Sequence, residues 1–194
     1  DIMRAGLTFK TDRGLQMDRF RGRIMFPIHN HFGKTVGFTG RLLPELDDGK
    51  TGKYINSPET PIFNKSRLLY GFFRSKNEIR EKKSGFLVEG QMDFLMCYQA
   101  GIKNIVASSG TALTREHLRT LRRLTDQIVI SFDNDEAGKA AGERAIDLAE
   151  ANDFNVRVIV LAGVKDPADA IQKDPAAFAA LYENALPAPE FYMT

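Results

Sequence analysis

The chain has 194 residues, of which 43% are hydrophobic and 27% charged, so it holds enough apolar material for the core of one domain or of two small lobes. A single cysteine excludes a disulfide framework and a zinc site built from cysteines, and no run of about 18 apolar residues predicts a membrane span. The net charge of +2 divides into +8 over residues 1–84 (17 Lys and Arg, 9 Asp and Glu) and −6 over residues 85–194 (10 and 16). This division indicates either uneven solvated charge or a polyanion-binding surface beside a carboxylate-rich metal site.

The basic first part of the chain shows short strands and turns. Its apolar and polar runs predict, in chain order, a strand, a turn, a second strand, an exposed loop and a basic helix, over residues 23–28, 29–34, 35–39, 47–52 and 72–83. The two strands and their turn make a hairpin. Because the charge and the pattern both change near Ser84 and Gly85, we place a domain boundary there.

The second part alternates apolar strands with helices. The strands are predicted over residues 85–88, 104–107, 127–132 and 156–161, and the helices over residues 91–100, 114–123 and 136–151. Continuously apolar strands that alternate with helices predict an α/β fold with a parallel sheet covered on both faces. In such sheets, ligands bind at the carboxyl ends of the strands.

Acidic residues follow three of these predicted strands. Glu89 comes after the first strand, Asp133 and Asp135 after the third, and Asp166 and Asp169 after the fourth. Asp133 and Asp135 are two residues apart, so in an extended segment their side chains point the same way. Carboxylates held together repel each other unless they are protonated or bridged by a cation. Oxygen ligands without nearby His or Cys suit Mg²⁺ or Mn²⁺, which stabilise charge on a transferring phosphoryl group.

Each acid also has an ordinary structural interpretation. Glu89 is then a loop acid, Asp133 caps the following helix, and Asp166 with Pro167 forms the N-cap and first position of another helix. The coincidence of all these acids at successive strand ends favours the metal site. A further loop, residues 108–111, either holds an anion with its backbone amides or simply precedes a helix capped by Thr114.

The order of Glu, Asp-x-Asp and a later Asp-containing loop resembles the Toprim domain of topoisomerases and primases. Longer strings resemble the bacterial replicative primase family, namely DRFRGRIMFPI (18–28), GR (40–41), KYINSPET (53–60), LYG (69–71), VEGQMD (88–93), SSGTAL (108–113) and FDNDEAG (132–138). The resemblance runs from about residue 13 to residue 186. It departs from the family at Gln91, where Tyr is usual, at Asn134, where Gly is usual, and in the string DPAD (166–169), which is one residue longer than the common DPD.

The resemblance implies a Toprim subdomain over residues 85–194, with a mostly parallel sheet flanked by helices. Residues 1–84 would form the C-terminal part of a basic, mixed α+β subdomain of the same polymerase core. The implied activity is DNA-dependent synthesis of RNA primers from ribonucleoside triphosphates in DNA replication. The implied catalytic and metal-binding residues are Glu89, Asp133 and Asp135, assisted as metal ligands by Asp166 and Asp169, with the longer DPAD string leaving open which of the last two faces the metal.

The implied cofactors are two or more Mg²⁺ or Mn²⁺ ions and no organic cofactor, with zinc confined to a module outside this chain. The implied nucleotide- and DNA-binding residues are polar or basic and lie in the first part of the chain: Arg19, Arg21, Arg23, Arg41, Lys53 and Asn56. The three arginines of residues 19–23 alternate along a predicted extended stretch and would share one face.

The implied partners are a single-stranded DNA template, the RNA primer, ribonucleoside triphosphates and, through a region outside this chain, the replicative helicase. No membrane partner is expected, and the cysteine content and the absence of a signal sequence predict a cytoplasmic location. Two alternatives remain. A Toprim nuclease or topoisomerase would use similar acids, although a topoisomerase needs a nucleophilic Tyr, and Tyr54 and Tyr70 lie in strings that resemble the primase family. An inactive, nucleic-acid-binding fragment of the core is the other.

Overall fold

The computed structural model describes residues 1–191, and the chain divides into two compact units, Asp1–Lys65 and a second that begins at Ser66. The boundary predicted from charge, after residue 84, lies further along the chain. The physical reason is packing, because Leu69 and Ile79 belong to the same buried cluster as Leu87. The intervening segment therefore belongs to the second unit by its contacts, although its charge resembles that of the first.

The first unit is built from antiparallel strands: β1 (Thr8–Lys10), β2 (Gln16–Asp18), β3 (Arg23–His29), β4 (Thr35–Leu42) and β5 (Tyr54–Asn56), with a short 3₁₀ helix at Pro44–Leu46. Strands β1 and β2 form a ribbon, and β3, β4 and β5 form a three-stranded sheet in that order. The predicted hairpin corresponds to β3 and β4. Its turn is held by Asn30, whose side-chain oxygen accepts hydrogen bonds from the amides of Phe32 (3.0 Å) and Lys34 (3.1 Å).

The second unit alternates helices and strands: α1 (Phe72–Lys82), β6 (Gly85–Val88), α2 (Gln91–Gln99), β7 (Ile105–Ala107), α3 (Arg115–Arg122), β8 (Gln127–Ile130), α4 (Glu136–Glu150), β9 (Asn155–Val158), α5 (Pro167–Lys173), α6 (Pro175–Glu183), β10 (Leu186–Pro187) and α7 (Ala188–Phe191). The strand order is β10-β9-β8-β6-β7, in which only β10 pairs antiparallel. The mostly parallel sheet predicted from the sequence is confirmed.

The core of this unit lies on both faces of the sheet. Every residue of the central strand β6 is buried, as its continuous apolar sequence predicts. Helices α3 and α4 cover the sheet with residues such as Leu118, Leu121 and Ile146, each almost fully buried. Complete burial of one such side chain stabilises the fold by about 1.5–3 kcal/mol. None of the helices within residues 1–191 is long and apolar enough to cross a membrane.

Candidate metal centre

The predicted acids lie where neighbouring parallel strands end. Glu89 directly follows β6, and Asp133 and Asp135 follow β8, which pairs with β6 in parallel register. The amide of Ser109 donates a hydrogen bond to the Glu89 carbonyl (2.8 Å), which ties this residue to the loop after β7. The sheet thus brings Glu89 and the Asp133 loop to a common edge.

Electrostatics show that these carboxyl groups act on one another. Burial raises the pKa of Glu89, and the nearby carboxylates of Asp133 and Asp135 raise it further. Burial also raises the pKa of Asp133, together with the carboxylates of Asp166 and Asp135, whereas the ammonium of Lys165 lowers it. The neighbouring carboxylates therefore disfavour the ionised forms of Glu89 and Asp133, a repulsion that a bound divalent cation relieves.

A further acid, Asp93, belongs to this group, although no spacing in the sequence singles it out. Its carboxyl group accepts hydrogen bonds from the amides of Gly90 (3.1 Å) and Ala168 (3.1 Å). Burial raises its pKa to about 7, with help from the carboxylates of Asp166 and Asp133. Asp93 is the third residue of α2, where an acid is usually explained as part of a helix cap, so the sequence carried only a weak signal.

Helix capping is divided differently from the prediction. Asp135, and not Asp133, is the N-cap of α4, and its Oδ1 accepts a hydrogen bond from the Gly138 amide at 2.7 Å. The capping interpretation of Asp133 is therefore wrong, because the N-cap hydrogen bond of α4 is made by Asp135. Asp166 does cap α5, with Pro167 at the first helical position, and its Oδ1 accepts a hydrogen bond from the Asp169 amide at 2.7 Å.

Asp166 and Asp169 differ in their surroundings. Asp166 influences both Asp93 and Asp133, so its carboxylate faces the cluster. The Oδ2 atom of Asp169 instead accepts hydrogen bonds from the Lys165 amide (3.1 Å) and from Lys173 Nζ (3.1 Å). These hydrogen bonds lower the pKa of Asp169. The contacts therefore favour Asp166 as the acid of this pair that would meet a metal.

Glycine is required at one position of the FDNDEAG string. A Cβ atom at Gly138 would lie 2.2 Å from the carbonyl oxygen of Asp133 and 2.8 Å from the carbonyl carbon of Asp133, and both are backbone atoms. The helix can begin this close to Asp133 only without a side chain at residue 138.

The donor set fits a hard divalent cation. Its members, Glu89, Asp133, Asp135 and Asp166, offer only carboxylate oxygens. Glu89, Asp133 and Asp166 are partly buried, whereas Asp135 is exposed. Within residues 1–191, no three Asp, Glu, His or Cys side chains already converge closely enough to hold an ion. The chemistry of the acids therefore suits Mg²⁺ or Mn²⁺, and binding would require their side chains to draw together.

The loop over residues 108–111 supports this site. The amides of Ser108 and Ser109 donate hydrogen bonds to the carbonyls of Val88 (3.1 Å) and Glu89 (2.8 Å). The side-chain amide of Gln91 also donates to the Ser109 hydroxyl. Thr114 caps α3 as predicted, accepting a hydrogen bond from the His117 amide. The first two amides of the loop are thus engaged in positioning Glu89.

In the first unit, two predicted DNA-binding arginines brace the backbone. The extended stretch predicted over residues 19–23 is wrong, because residues 19–22 form a turn in which Gly22 has a φ of 61°. Arg19 donates a hydrogen bond to the Gly6 carbonyl at 3.0 Å. Arg23 donates to three carbonyls, those of Gly40, Gly52 and Lys53, at 2.8–3.1 Å. Arg21, between them, is exposed.

The other predicted contacts of the first unit lie on β4 and β5 or next to them. Arg41 and Tyr54 are direct partners across the two strands, and the Arg41 guanidinium lies 5.8 Å from the centre of the Tyr54 ring. Lys53 is exposed just before β5, and Asn56 is the partly buried last residue of that strand. The sheet thus places three of the predicted residues close together along one strand pair.

Comparison with known proteins defines the class. Residues 1–76 match the family model described as "DNA primase catalytic core, N-terminal domain", and residues 86–171 match the model "Toprim-like". Together these matches describe a primase catalytic core that contains a Toprim-like fold.

Individual relatives agree with these family matches. A DNA primase of Listeria monocytogenes is 45% identical over 182 residues, which is 93% of this chain and 29% of that protein. A DNA primase domain from Pseudomonas aeruginosa is 37% identical, with a TM-score of 0.89 over 98% of this chain and 60% of that structure. A DnaG primase catalytic domain solved bound to ssDNA is also 37% identical, with a TM-score of 0.83 over 96% of this chain and 58% of that structure. The chain belongs to the bacterial DNA primase family and spans about a third or less of the length of the curated relatives it matches.

Proposed function

We propose that the chain carries the nucleotidyl-transfer centre of a DNA primase, which makes RNA primers on single-stranded DNA during replication. The observation that carries the proposal is the position of Glu89, Asp133, Asp135 and Asp166 after neighbouring parallel strands, where nearby carboxylates raise the pKa of Glu89 and of Asp133. These acids stay together despite their repulsion, as expected of a site built for a divalent cation. Membership of the primase family supports RNA synthesis as the reaction.

In the proposed reaction, the 3′-oxygen of the primer forms a bond to the α-phosphorus of a ribonucleoside triphosphate. The hydroxyl proton is released, and the bond from that phosphorus to pyrophosphate breaks. Two or more Mg²⁺ or Mn²⁺ ions, when bound, stabilise negative charge on the phosphoryl group. Glu89, Asp133 and Asp135 would hold them, assisted by Asp166 and less directly by Asp169. Asp135 also fixes the start of α4, so one residue would connect the ligand loop to the helix.

Basic residues of the first unit would hold the template and the triphosphate. Arg21, Arg41 and Lys53 supply the positive charge, and Asn56 a hydrogen-bonding amide. Arg19 and Arg23 would act mainly by fixing the backbone on which the others stand. A similar primase catalytic domain bound to ssDNA supports a single-stranded DNA ligand.

The further partners belong to the same proposal. The RNA primer and ribonucleoside triphosphates follow from the reaction, whereas the replicative helicase and a zinc module would act through regions outside this chain. We place the protein in the cytoplasm, because bacterial DNA is replicated there.

The test is Mn²⁺ binding by calorimetry, followed by extension of an RNA primer annealed to single-stranded DNA. Asp133→Ala should weaken Mn²⁺ binding more than about tenfold and abolish extension. Asp126→Ala is the matched control, because Asp126 is exposed and directly precedes β8, at the end of the strand away from Asp133. This variant should bind Mn²⁺ like the native chain. Absence of Mn²⁺ binding by the folded native chain would overturn the metal site. Metal-dependent cleavage of DNA, in place of extension, would favour a Toprim nuclease.

A further inference from the structure

Lys165 brings a positive charge to the carboxylate cluster. Its ammonium Nζ lies 3.5 Å from Oδ2 of Asp166, the oxygen of that side chain that is not used in capping α5. It also acts on Asp133, where it opposes the carboxylates of Asp166 and Asp135. One ammonium therefore partly neutralises two acids that the proposed function assigns to the metal.

The backbone of Lys165 is fixed relative to these acids. Its carbonyl accepts a hydrogen bond from the Asn134 amide at 2.8 Å, so it is tied to the residue that follows Asp133. Its own amide donates to Asp169 Oδ2 at 3.1 Å. The Asn134 side chain also donates to the neighbouring Val164 carbonyl, at 3.4 Å. The two loops that carry the acids are thus joined at Lys165.

The side chain of Lys165, in contrast, is held loosely. It is 72% exposed, whereas the side chain of Asp166 is only 20% exposed. An ion pair of 3.5 Å whose ammonium is largely exposed to water contributes little to stability, so the ammonium can leave at small cost. Lys165 thus combines a fixed backbone with an exposed ammonium that can move away, as an exchangeable counter-ion requires.

We propose that Lys165 is the resident counter-ion of Asp133 and Asp166 and that its ammonium withdraws when a divalent cation binds these carboxylates. Lys165 thereby limits the repulsion between these carboxylates before a cation binds, and it sets the affinity of the site for the metal. The inference rests on the metal site of the proposed function. In this inference Lys165 adjusts the affinity of the site for the metal, whereas the carboxylates are the metal ligands.

The first test compares Mn²⁺ affinity by calorimetry at one fixed ionic strength. Lys165→Met removes the competing charge but keeps the aliphatic chain, so it should bind Mn²⁺ about threefold to tenfold more tightly than the native chain. Lys165→Arg keeps the charge and should remain within about twofold of the native affinity. Lys82→Met, which removes an exposed ammonium at the end of α1, is the matched control and should not change the affinity.

The second test follows the Lys165 amine itself, by its rate of acetylation measured with mass spectrometry. Saturating Mn²⁺ should raise the rate at Lys165 severalfold and leave the rate at Lys82 unchanged. An unchanged or weaker Mn²⁺ affinity in Lys165→Met, while Asp133→Ala still loses binding, would overturn this inference and leave the metal site standing. Absence of Mn²⁺ binding by the native chain would overturn both.

Discussion

The carboxyl group of Asp93 lies deeper than the acids that the sequence pattern singled out, and it titrates nearer neutrality. Burial and the carboxylates of Asp166 and Asp133 raise its pKa to about 7. Two backbone amides, from Gly90 and Ala168, hold the same group in place. In the unfolded chain its pKa would be near 3.8, so the folded protein binds a proton more tightly at this residue. The burial that positions Asp93 therefore destabilises its ionised form.

The difference in the pKa of Asp93 between the folded and the unfolded chain predicts how stability depends on pH. Between pH 4 and pH 7 the folded state holds more protons than the unfolded state, so the free energy of unfolding falls as the pH rises. Well above pH 7, Asp93 is ionised in both states, so the free energy of unfolding falls no further on its account. Without metal, urea denaturation should give a free energy of unfolding about 1–3 kcal/mol lower at pH 8 than at pH 5.5. The raised pKa values of Glu89 and Asp133 act in the same direction.

The variant Asp93→Asn isolates the contribution of this residue, because it cannot ionise. Its free energy of unfolding should differ less between pH 5.5 and pH 8 than that of the native chain. Saturating Mn²⁺ should also reduce the pH dependence of the native chain, because a bound cation favours the ionised carboxylates. Equal pH dependence in the variant and the native chain would contradict the assignment of a raised pKa to Asp93.

At the scale of the element, the sequence predicts best where one physical requirement dominates. Strand β6 is recognisable because both of its faces are buried, so every residue is apolar or glycine. The turn over residues 19–22 was missed because alternating arginines suggest a strand, whereas Gly22 adopts a positive φ that ends the extended path. The boundary predicted near residue 84 follows charge, which reflects the solvent-facing side chains, whereas the buried Ile79 groups α1 with the second compact unit by packing. Charge and packing therefore divide the chain at different residues.

For the candidate site, the sequence singles out Glu89 and Asp133 because they directly follow apolar strands of the predicted sheet. It does not single out Asp93 and Lys165, because their effect on the cluster comes from distances in space: Asp93 meets the amide of Ala168, 75 residues away in the chain. No local spacing in the sequence contains that information.

The start of α4 gives a prediction for a whole element. Gly138→Ala places a Cβ atom against the backbone of Asp133, so the helix or the loop that carries Asp133 must shift. We expect a loss of about 1–3 kcal/mol in the free energy of unfolding and a Mn²⁺ affinity at least about threefold weaker. Thermal denaturation and calorimetry on the same samples measure the two effects.

Gly142 provides a control within the same helix. A Cβ atom there would meet Phe132 at 3.7–3.9 Å, which is ordinary contact, and alanine favours a helix interior over glycine by about 0.5–1 kcal/mol. Gly142→Ala should therefore be neutral or stabilising and should bind Mn²⁺ normally. Equal destabilisation by both substitutions would show that helix α4 is sensitive to any added side chain and that the close approach to Asp133 has no special part.

For the whole molecule, the charge of the sequence describes two kinds of surface. The excess of positive charge over residues 1–84 suits contact with phosphates, and the excess of negative charge over residues 85–194 includes the acids of the proposed metal centre. Not every basic residue has the same use, however. Arg23 donates hydrogen bonds to three backbone carbonyls, whereas Arg21 is exposed. The net charge of a segment therefore overstates the number of side chains available to nucleic acid.

This distinction predicts different consequences for two neighbouring arginines. Arg21→Ala should leave the free energy of unfolding within about 0.5 kcal/mol of native and weaken binding to a single-stranded oligonucleotide of any sequence. Because one phosphate contact is lost, the slope of log affinity against log salt should become shallower by about 0.7, as measured by fluorescence anisotropy between 50 and 200 mM salt.

Arg23→Ala should instead lower the free energy of unfolding by about 1–3 kcal/mol, because three backbone carbonyls lose the hydrogen bonds that the Arg23 guanidinium donates. At a temperature where this variant remains folded, its salt slope should match that of the native chain. A shallower slope in Arg23→Ala with unchanged stability would reverse the assignment, making Arg23 the phosphate contact and its backbone hydrogen bonds dispensable. The salt slope measures the number of phosphates neutralised, and the free energy of unfolding measures how far the hydrogen bonds of Arg23 stabilise the sheet. Together the two measurements separate DNA binding from stabilisation of the fold.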